Sequence, residues 1–407
     1  MSRIDDIVGQ CRDQVEDASL NACRQWKGRR AGNKVLGYFP VYFPVEIAHA
    51  AGMLPIGIFG GGNRVVLKRA DTHMYSFMCS ICKSTLEQGL SGRFDFLDVF
   101  IGTPICDAAR HMPGLMERNV PGLLTDILYL PANLRTGLAV PYLQREFGRL
   151  RVLVETEVGH AVGDEQIRDS IRTYNQSRRL VRRLYEMRRA SPWLVSAVEC
   201  YVLVRAGMLM PVEEHLPLLR EFIALASERE ARPLDKIRVV FEGGFCEQPP
   251  IDFLRAIEEA CYVVDDDLAV GARLFSGDVP EDGDPILNLA ASYCNGSTYS
   301  SVQHDMRRLK SDGLMAKYRS SNAEAIVLSP AKFCEPGLDD QVHHLKRAEK
   351  EGVSCLQMEF QERMKDFDNV RTQTETFAEA ILFYSQEQRP DPVAAPVAEI
   401  TTTEAAR

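Results

Sequence analysis

The sequence predicts an α/β protein of two parallel-sheet domains separated by a helical insertion. Three observations carry that expectation. Short apolar runs alternate with helical patterns over residues 33–137, the alternation returns over 232–385, and the stretch between them, 138–231, is dominated by helical patterns. At 407 residues the chain is too long for one ordinary core and long enough for two.

Residues 1–32 read as N-terminal amphipathic helices that end in the basic turn 27–33. In the first domain, 33–137, the run 35–39 reads as a buried strand. The run 44–52 reads as a helix with Pro44 near its start and Gly52 at its end, and 55–59 as a second strand. A helix from Ser80, a strand at 96–101, a helix from Asp107 and a strand at 122–128 complete the unit. In the insertion, 168–185 places arginines between apolar residues at helical spacing. That pattern describes a helix with a solvated face, or one that docks an acidic partner or a phosphate. The second domain, 232–385, has strands at 237–241, 262–264, 325–328 and 353–356 and a last helix at 369–383. Two flavodoxin- or Rossmann-like sheets result, and such sheets bind ligands beyond the carboxyl ends of their strands. From Gln386 the chain turns to Pro, Ala, Thr and Glu, and 386–407 is expected to be a disordered tail.

A formal charge of -9 and a pI near 5.5 exclude the basic surface that nucleic acid requires. No apolar run approaches the roughly 18 residues of a membrane span, and the charged start Met1-Ser2-Arg3-Ile4-Asp5 lacks the apolar stretch of a secretory signal. The expectation is a cytoplasmic protein, outside the membrane, whose 11 cysteines stay reduced. Cys11, Cys23, Cys200, Cys261, Cys294 and Cys355 fall within helical or strand patterns and read as small core hydrophobes.

Three others stand apart. Cys79, in Cys79-Ser80-Ile81-Cys82, Cys106, in Thr103-Pro104-Ile105-Cys106-Asp107, and Cys334, in Phe333-Cys334-Glu335-Pro336, each sit where a loop meets the start of a helix. A helix N-terminus favours the thiolate form. Three thiolates at one crevice would hold an iron-sulfur cluster and leave one iron open. Cys246, in Gly243-Gly244-Phe245-Cys246-Glu247, follows the strand at 237–241 and competes for that site. Cys79-x-x-Cys82 alone also suits a redox pair or half of a zinc site, although no second close cysteine pair accompanies it. There is neither a dinucleotide fingerprint opening a helix nor a phosphate loop.

The run 37–57, Gly-Tyr-Phe-Pro-Val-Tyr-Phe-Pro-Val-Glu-Ile-Ala-His-Ala-Ala-Gly-Met-Leu-Pro-Ile-Gly, resembles the opening of the 2-hydroxyacyl-CoA dehydratase component D family. The segment from Cys79 to Asp107, together with Met210-Pro211-Val212-Glu213-Glu214-His215, Phe245-Cys246-Glu247-Gln248-Pro249-Pro250, Val263-Val264-Asp265-Asp266-Asp267 and Phe333-Cys334-Glu335-Pro336, is similar to its benzoyl-CoA reductase branch. The resemblance spans roughly 20–385. It implies a 4Fe-4S cluster in the interdomain cleft held by Cys79, Cys106 and Cys334, with Cys82 and Cys246 as runners-up. It also implies a subunit of an ATP-dependent reductase that reduces benzoyl-CoA to a cyclohexadiene-carbonyl-CoA. The implied partners are a homologous cluster-bearing subunit, ATP-hydrolysing subunits that inject electrons, and reduced ferredoxin acting through them.

Glu46, in an otherwise apolar helix start, and His49 are the candidate catalytic residues, as proton donors or thioester-positioning groups. Asp107 and Glu335 flank the cysteine loops and equally suit helix capping. Phe39, Tyr42 and Phe43 can line an aryl pocket or pack the core. Three other readings remain open at this point. One is a 2-hydroxyacyl-CoA dehydratase subunit, whose open iron would act as a Lewis acid. The others are an electron-relay or scaffold subunit and a zinc-stabilised α/β binding protein.

Overall fold

The structure, a computed structural model, describes residues 2–268, 277–296 and 309–387. Helices α1 (Arg3–Glu16) and α2 (Asn21–Gly28) lead into β1 (Val35–Phe39), α3 (Val45–Ala50), β2 (Leu54–Gly57), α4 (Ser80–Leu90), β3 (Val99–Gly102), α5 (Asp107–Asn119) and β4 (Leu124–Ile127). Four helices follow: α6 (Ala139–Val158), α7 (Asp164–Ala190), α8 (Ala197–Ala206) and α9 (Val212–Ser227). The second half runs β5 (Ile237–Glu242), α10 (Ile251–Ala260), β6 (Cys261–Asp266), α11 (Pro285–Gly296), α12 (Lys310–Ser320), β7 (Ala325–Leu328), α13 (Glu335–Glu351), β8 (Cys355–Gln357) and α14 (Asp368–Glu387).

All described strand pairs are parallel, and the two four-stranded sheets share one order, β2-β1-β3-β4 and β6-β5-β7-β8. The expected α/β architecture with two parallel sheets is therefore present. Parallel strands are buried on both faces, and the side chains divide accordingly. In the first sheet Leu36, Tyr38, Val99 and Ile101 enter a large central core, while Val35, Phe39 and Phe100 enter a second core with α4 and α5. In the second sheet Ile237, Val239, Phe241 and Val327 enter the same central core, and Val240, Ile326 and Leu328 face a small outer one with α12. The two sheets thus share a continuous interior, filled by apolar residues of α6 to α9.

Some element bounds differ from expectation for local reasons. β2 spans Leu54–Gly57; its link to β1 carries one hydrogen bond further, from the Ile58 amide to the Tyr38 carbonyl at 2.8 Å, while the Gly57 amide on the open side donates to the Met208 carbonyl at 2.9 Å. β3 starts at Val99 because 94–97 closes a turn, with the Leu97 amide donating to Phe94 O, and the Asp98 carboxylate accepts from the Val35 amide at 2.8 Å. The last helix continues through Glu387; of the expected tail, 388–407 lies outside the described residues.

The arginine-rich helix α7 is not a solvated face throughout. Arg168 and Arg172 pair with Glu165 near the surface. Further along, Arg178 pairs with Glu46 of α3, Arg179 and Arg182 meet Asp278, and Arg188 pairs with Asp266 of β6 at 2.6 Å. Arg188 and Asp266 are fully buried. The helix is therefore a strut whose charges reach α3 in the first half and β6 in the second, a role the spacing of its apolar residues cannot reveal.

Candidate functional site

In each sheet the chain reverses its direction of growth between the two central strands, β1/β3 and β5/β7. Such a switch point opens a crevice at the carboxyl ends of the strands. Cys106 follows β3 as the N-cap of α5, and Cys334 follows β7 as the N-cap of α13. Cys79 is the N-cap of α4, and Cys82 lies in the first turn of that helix. Cys246 lies in the loop after β5.

Backbone constraints bring these loops together. At Gly243 φ is +138°, and a Cβ there would lie 2.1 Å from the Ser329 carbonyl oxygen, so only glycine lets the chain leave β5 so close to the end of β7. Beyond this pinch the Cys246 and Cys334 sulfurs stand 3.9 Å apart. In the first sheet a Cβ on Gly102 would fall 2.3 Å from Pro113 Cγ, and its absence seats α5 against the strand end that leads to Cys106.

The thiols interact electrostatically as one group. A hydrogen bond with Cys79, followed by burial and the charges of Cys79, Cys106 and Glu247, pushes the Cys82 pKa well up. Burial pushes Cys106 up to about 11, with Cys79 and Cys334 adding to the rise and the Ala108 and Ala109 amides of α5 opposing it. Cys246 is raised by its contact with Cys334, then by burial and by the charges of Cys334, Cys79 and Cys106. Cys79, Cys82, Cys106, Cys246 and Cys334 thus share one neighbourhood, and mutual repulsion penalises its thiolates unless positive charge sits among them. Bound metal supplies such charge and deprotonates thiols.

The chemistry of that donor set fits the implied cluster: soft sulfur side chains, four of the five buried, with Cys79, Cys106 and Cys334 each the N-cap of a helix. Among the described residues, no three His, Cys, Asp or Glu side chains are grouped to hold a single metal ion.

Glu247, next to Cys246, clamps this region. Its carboxylate accepts from Ser80 Oγ at 2.5 Å, from the Ile81 amide at 3.2 Å and from the Glu362 amide at 2.8 Å. The first turn of α4 is thereby tied to two loops of the second half. Burial raises the Glu247 pKa against these hydrogen bonds, and burial together with Glu247 pushes Glu362 up to about 8. Sequence reasoning missed both roles. Glu247 stands inside the Phe245-Cys246-Glu247 motif, so a signal existed; nothing local singles out Glu362.

The other candidates separate. Glu46 is buried in its pair with Arg178 and lines a cavity of about 410 Å³. Tyr42 and Phe43 line the same cavity, whereas Phe39 packs on Phe100 in the core. Tyr174 and Tyr293, which no sequence pattern singles out, complete its aromatic wall. His49 lies elsewhere, with Nδ1 2.8 Å from Ser170 Oγ and Nε2 2.8 Å from Glu213. Asp107 and Glu335 are the exposed first residues of α5 and α13. The Thr103 hydroxyl donates to the Tyr42 carbonyl at 3.4 Å, joining the cavity wall to the loop that carries Cys106.

Fold and site together define a two-sheet α/β protein that gathers five thiols beside its strand-end crevices. The chain belongs to the 2-hydroxyglutaryl-CoA dehydratase, D-component family, whose sequence model matches residues 40–381. It is 36% identical over 382 residues to a subunit of the benzoyl-CoA reductase of Thauera aromatica, covering 93% of this chain and 99% of that relative. It is 27% identical to the beta subunit of the lactoyl-CoA dehydratase of Anaerotignum propionicum, covering 94% of this chain and all of the relative. It is 26% identical to the beta subunit of the (R)-2-hydroxyglutaryl-CoA dehydratase of Acidaminococcus fermentans, covering 87% of this chain and 94% of the relative. No helix among the described residues is long and apolar enough to cross a membrane.

Proposed function

We propose that the chain is a subunit of an ATP-dependent benzoyl-CoA reductase. In this reading Cys79, Cys106 and Cys334 hold a 4Fe-4S cluster and Cys82 and Cys246 lie beside it. The observation that carries the reading is the convergence of cysteines from both halves on one site, in a chain 36% identical to a benzoyl-CoA reductase subunit over nearly its whole length. A bound cluster supplies one-electron transfer at low potential. The protein's own part is to hold three N-cap thiolates, limit water, and fix α4 against the second half through Glu247.

Adding electrons to an aromatic ring calls for a potential near or below the bottom of the iron-sulfur range, about -700 mV. A mismatch of 59 mV costs about tenfold in equilibrium constant for one electron, so the transfer must be coupled to an energy source. In this reading ATP is hydrolysed on partner subunits, which is consistent with a sequence that carries no phosphate loop. A homologous cluster-bearing subunit and reduced ferredoxin, acting through the ATP-hydrolysing module, complete the proposed system. The product is the cyclohexadiene-1-carbonyl-CoA.

The test is anaerobic co-purification with the partner subunits, counting of iron and acid-labile sulfide, and assay with benzoyl-CoA. Dearomatised product is expected. The full-length match to dehydratase beta subunits supports the second reading, a 2-hydroxyacyl-CoA dehydratase subunit. Conversion of a 2-hydroxyacyl-CoA with no reduction of benzoyl-CoA would establish it instead. A relay or scaffold role predicts an EPR signal from the cluster of this chain that substrate does not alter.

A further inference from the structure

A second cavity, of about 120 Å³, lies between the glycine loop after β2, α4 and two loops of the second half, and none of the five site cysteines lines it. Gln88, Gln248 and Glu362 stand in its wall at 1%, 3% and 5% exposure. Among the described residues, Gln88 Oε1, Gln248 Oε1 and Glu362 Oε1 have no hydrogen-bond partner. The two amides cannot exchange their ends to escape this. Gln248 Nε2 donates to the Gly244 and Cys246 carbonyls at 3.0 and 3.1 Å, and Gln88 Nε2 to the Ala18 carbonyl at 2.8 Å, so a flip would set oxygen against oxygen. Gly244 and Cys246 lie outside the cavity wall, which leaves the oxygen as the end of Gln248 that faces it. Consecutive glycines bring the other two groups together: a Cβ on Gly60 would lie 2.1 Å from Glu362 Oε2, and one on Gly61 3.3 Å from Gln88 Cδ. The Glu362 amide in turn donates at 2.8 Å to Glu247, the neighbour of Gln248.

Three buried oxygens without a donor, one of them a carboxylate oxygen, attract positive charge. The guanidiniums in the wall do not supply it by contact, because Arg64 pairs with Glu16 at 3.3 Å and Arg205 donates to the Tyr201 hydroxyl at 3.1 Å. Burial, and then the charge of Glu247, push the Glu362 carboxyl up to about 8, as befits an acid without a counter-ion. A single water has two protons for three oxygens, whereas a cation attracts all of them. One carboxylate with two neutral amide oxygens is too little charge for calcium, and magnesium gives up its water reluctantly. A monovalent ion of potassium size exchanges its hydration shell for carbonyl-type oxygens, and the cavity has room for waters that complete its coordination.

We propose that Gln88, Gln248 and Glu362 form a binding site for a monovalent cation of the potassium class, which ties the glycine loop after β2 and α4 to the second half. When no such ion is bound, a proton on Glu362 takes its place. The site does not depend on the choice between reductase and dehydratase. Its test is equilibrium dialysis of the anaerobic complex against radioactive rubidium in tetramethylammonium buffer. The wild-type complex is expected to retain rubidium that potassium displaces and tetramethylammonium does not. Glu362→Gln and Gln88→Leu should each weaken this binding by about tenfold or more, since affinity at oxygen sites follows the charge and number of the ligands. Loss on substitution places the ion in this chain and not in a partner subunit. The exchange of the two groups, Glu362→Gln with Gln88→Glu, keeps one carboxylate and two amides and should restore binding. Iron content should not change in any of these variants, because no site cysteine lines the cavity. Absence of displaceable rubidium in the wild-type complex, or retention that the substitutions leave unaltered, would overturn the proposal and leave the cavity to water. The wild-type measurement needs no substituted protein, so a variant that misfolds cannot rescue the proposal from an absence of binding.

Discussion

The two halves repeat one sheet order, yet they furnish different chemistry at equivalent places. Cys106 and Cys334 are counterparts: each follows the third strand of its sheet and caps the helix after it. The loops after the first strands diverge. The one after β1 holds Tyr42 and Phe43 at the aromatic cavity, whereas the one after β5 turns through Gly243 to place Cys246 beside Cys334. Cys79 belongs only to the first half, at the N-terminus of α4 between β2 and β3. A repeated scaffold thus supplies two helix-capping cysteines by symmetry, while Cys79 and the cavity come from segments where the repeat is broken.

The strongest way to break this comparison is at the paired cysteines. Cys106→Ser and Cys334→Ser should each abolish stoichiometric iron and activity in anaerobically purified protein, and to the same extent, because the two positions are equivalent. Cys79→Ser should do the same. Cys82→Ser and Cys246→Ser should retain iron. Full iron occupancy in Cys106→Ser would remove the ligand assignment.

Next in size is the strut between the halves. Asp266→Asn should destabilise the protein by about 3–5 kcal/mol in urea unfolding, because it leaves the fully buried Arg188 without its counter-charge. Glu46→Gln should cost less, since Arg178 keeps 13% exposure and lies beside a cavity that can admit water. Equal costs would mean that α7 is held alike by α3 and by β6.

A smaller effect separates the loops by pH. Burial and Glu247 hold the Glu362 pKa at about 8 in the folded protein, above the ordinary carboxylate value of about 4.3. Between those values the folded state binds the extra proton, so stability should fall as pH rises through that window and level off above it. Glu362→Gln should flatten the slope, read from unfolding midpoints at pH 5, 6, 7 and 8. The smallest effect belongs to His49→Ala, about 1 kcal/mol for its hydrogen bonds. Because those bonds go to Ser170 and Glu213, iron content should not change.

Much of the fold is legible in the chain because buried parallel strands are written as short apolar runs: 35–39 and 325–328 have the bounds their apolar residues indicate. Helix starts at Ser80 and Asp107 are legible from the same alternation. Strand ends are less so: β2 ends at Gly57, two residues before its apolar run does. At the site, Tyr42 and Phe43 are candidates from one contiguous segment, but Tyr174 and Tyr293 are more than a hundred residues away and join them only through packing. The arginines of α7 are legible as a charged face, and their partners on α3 and β6 are not.

Local signals suffice for the two parallel-sheet halves, the helical stretch between them and the cysteines at loop-to-helix junctions, because apolar period and helix starts are written in neighbouring residues. Packing settles the rest: which thiols lie together, that Glu247 ties α4 to the second half, that Glu46 meets Arg178 while His49 turns away, and that Tyr42, Phe43, Tyr174 and Tyr293 wall one cavity. Those outcomes depend on distances between segments remote in the chain, and such distances are set by how two sheets and a shared core fit together.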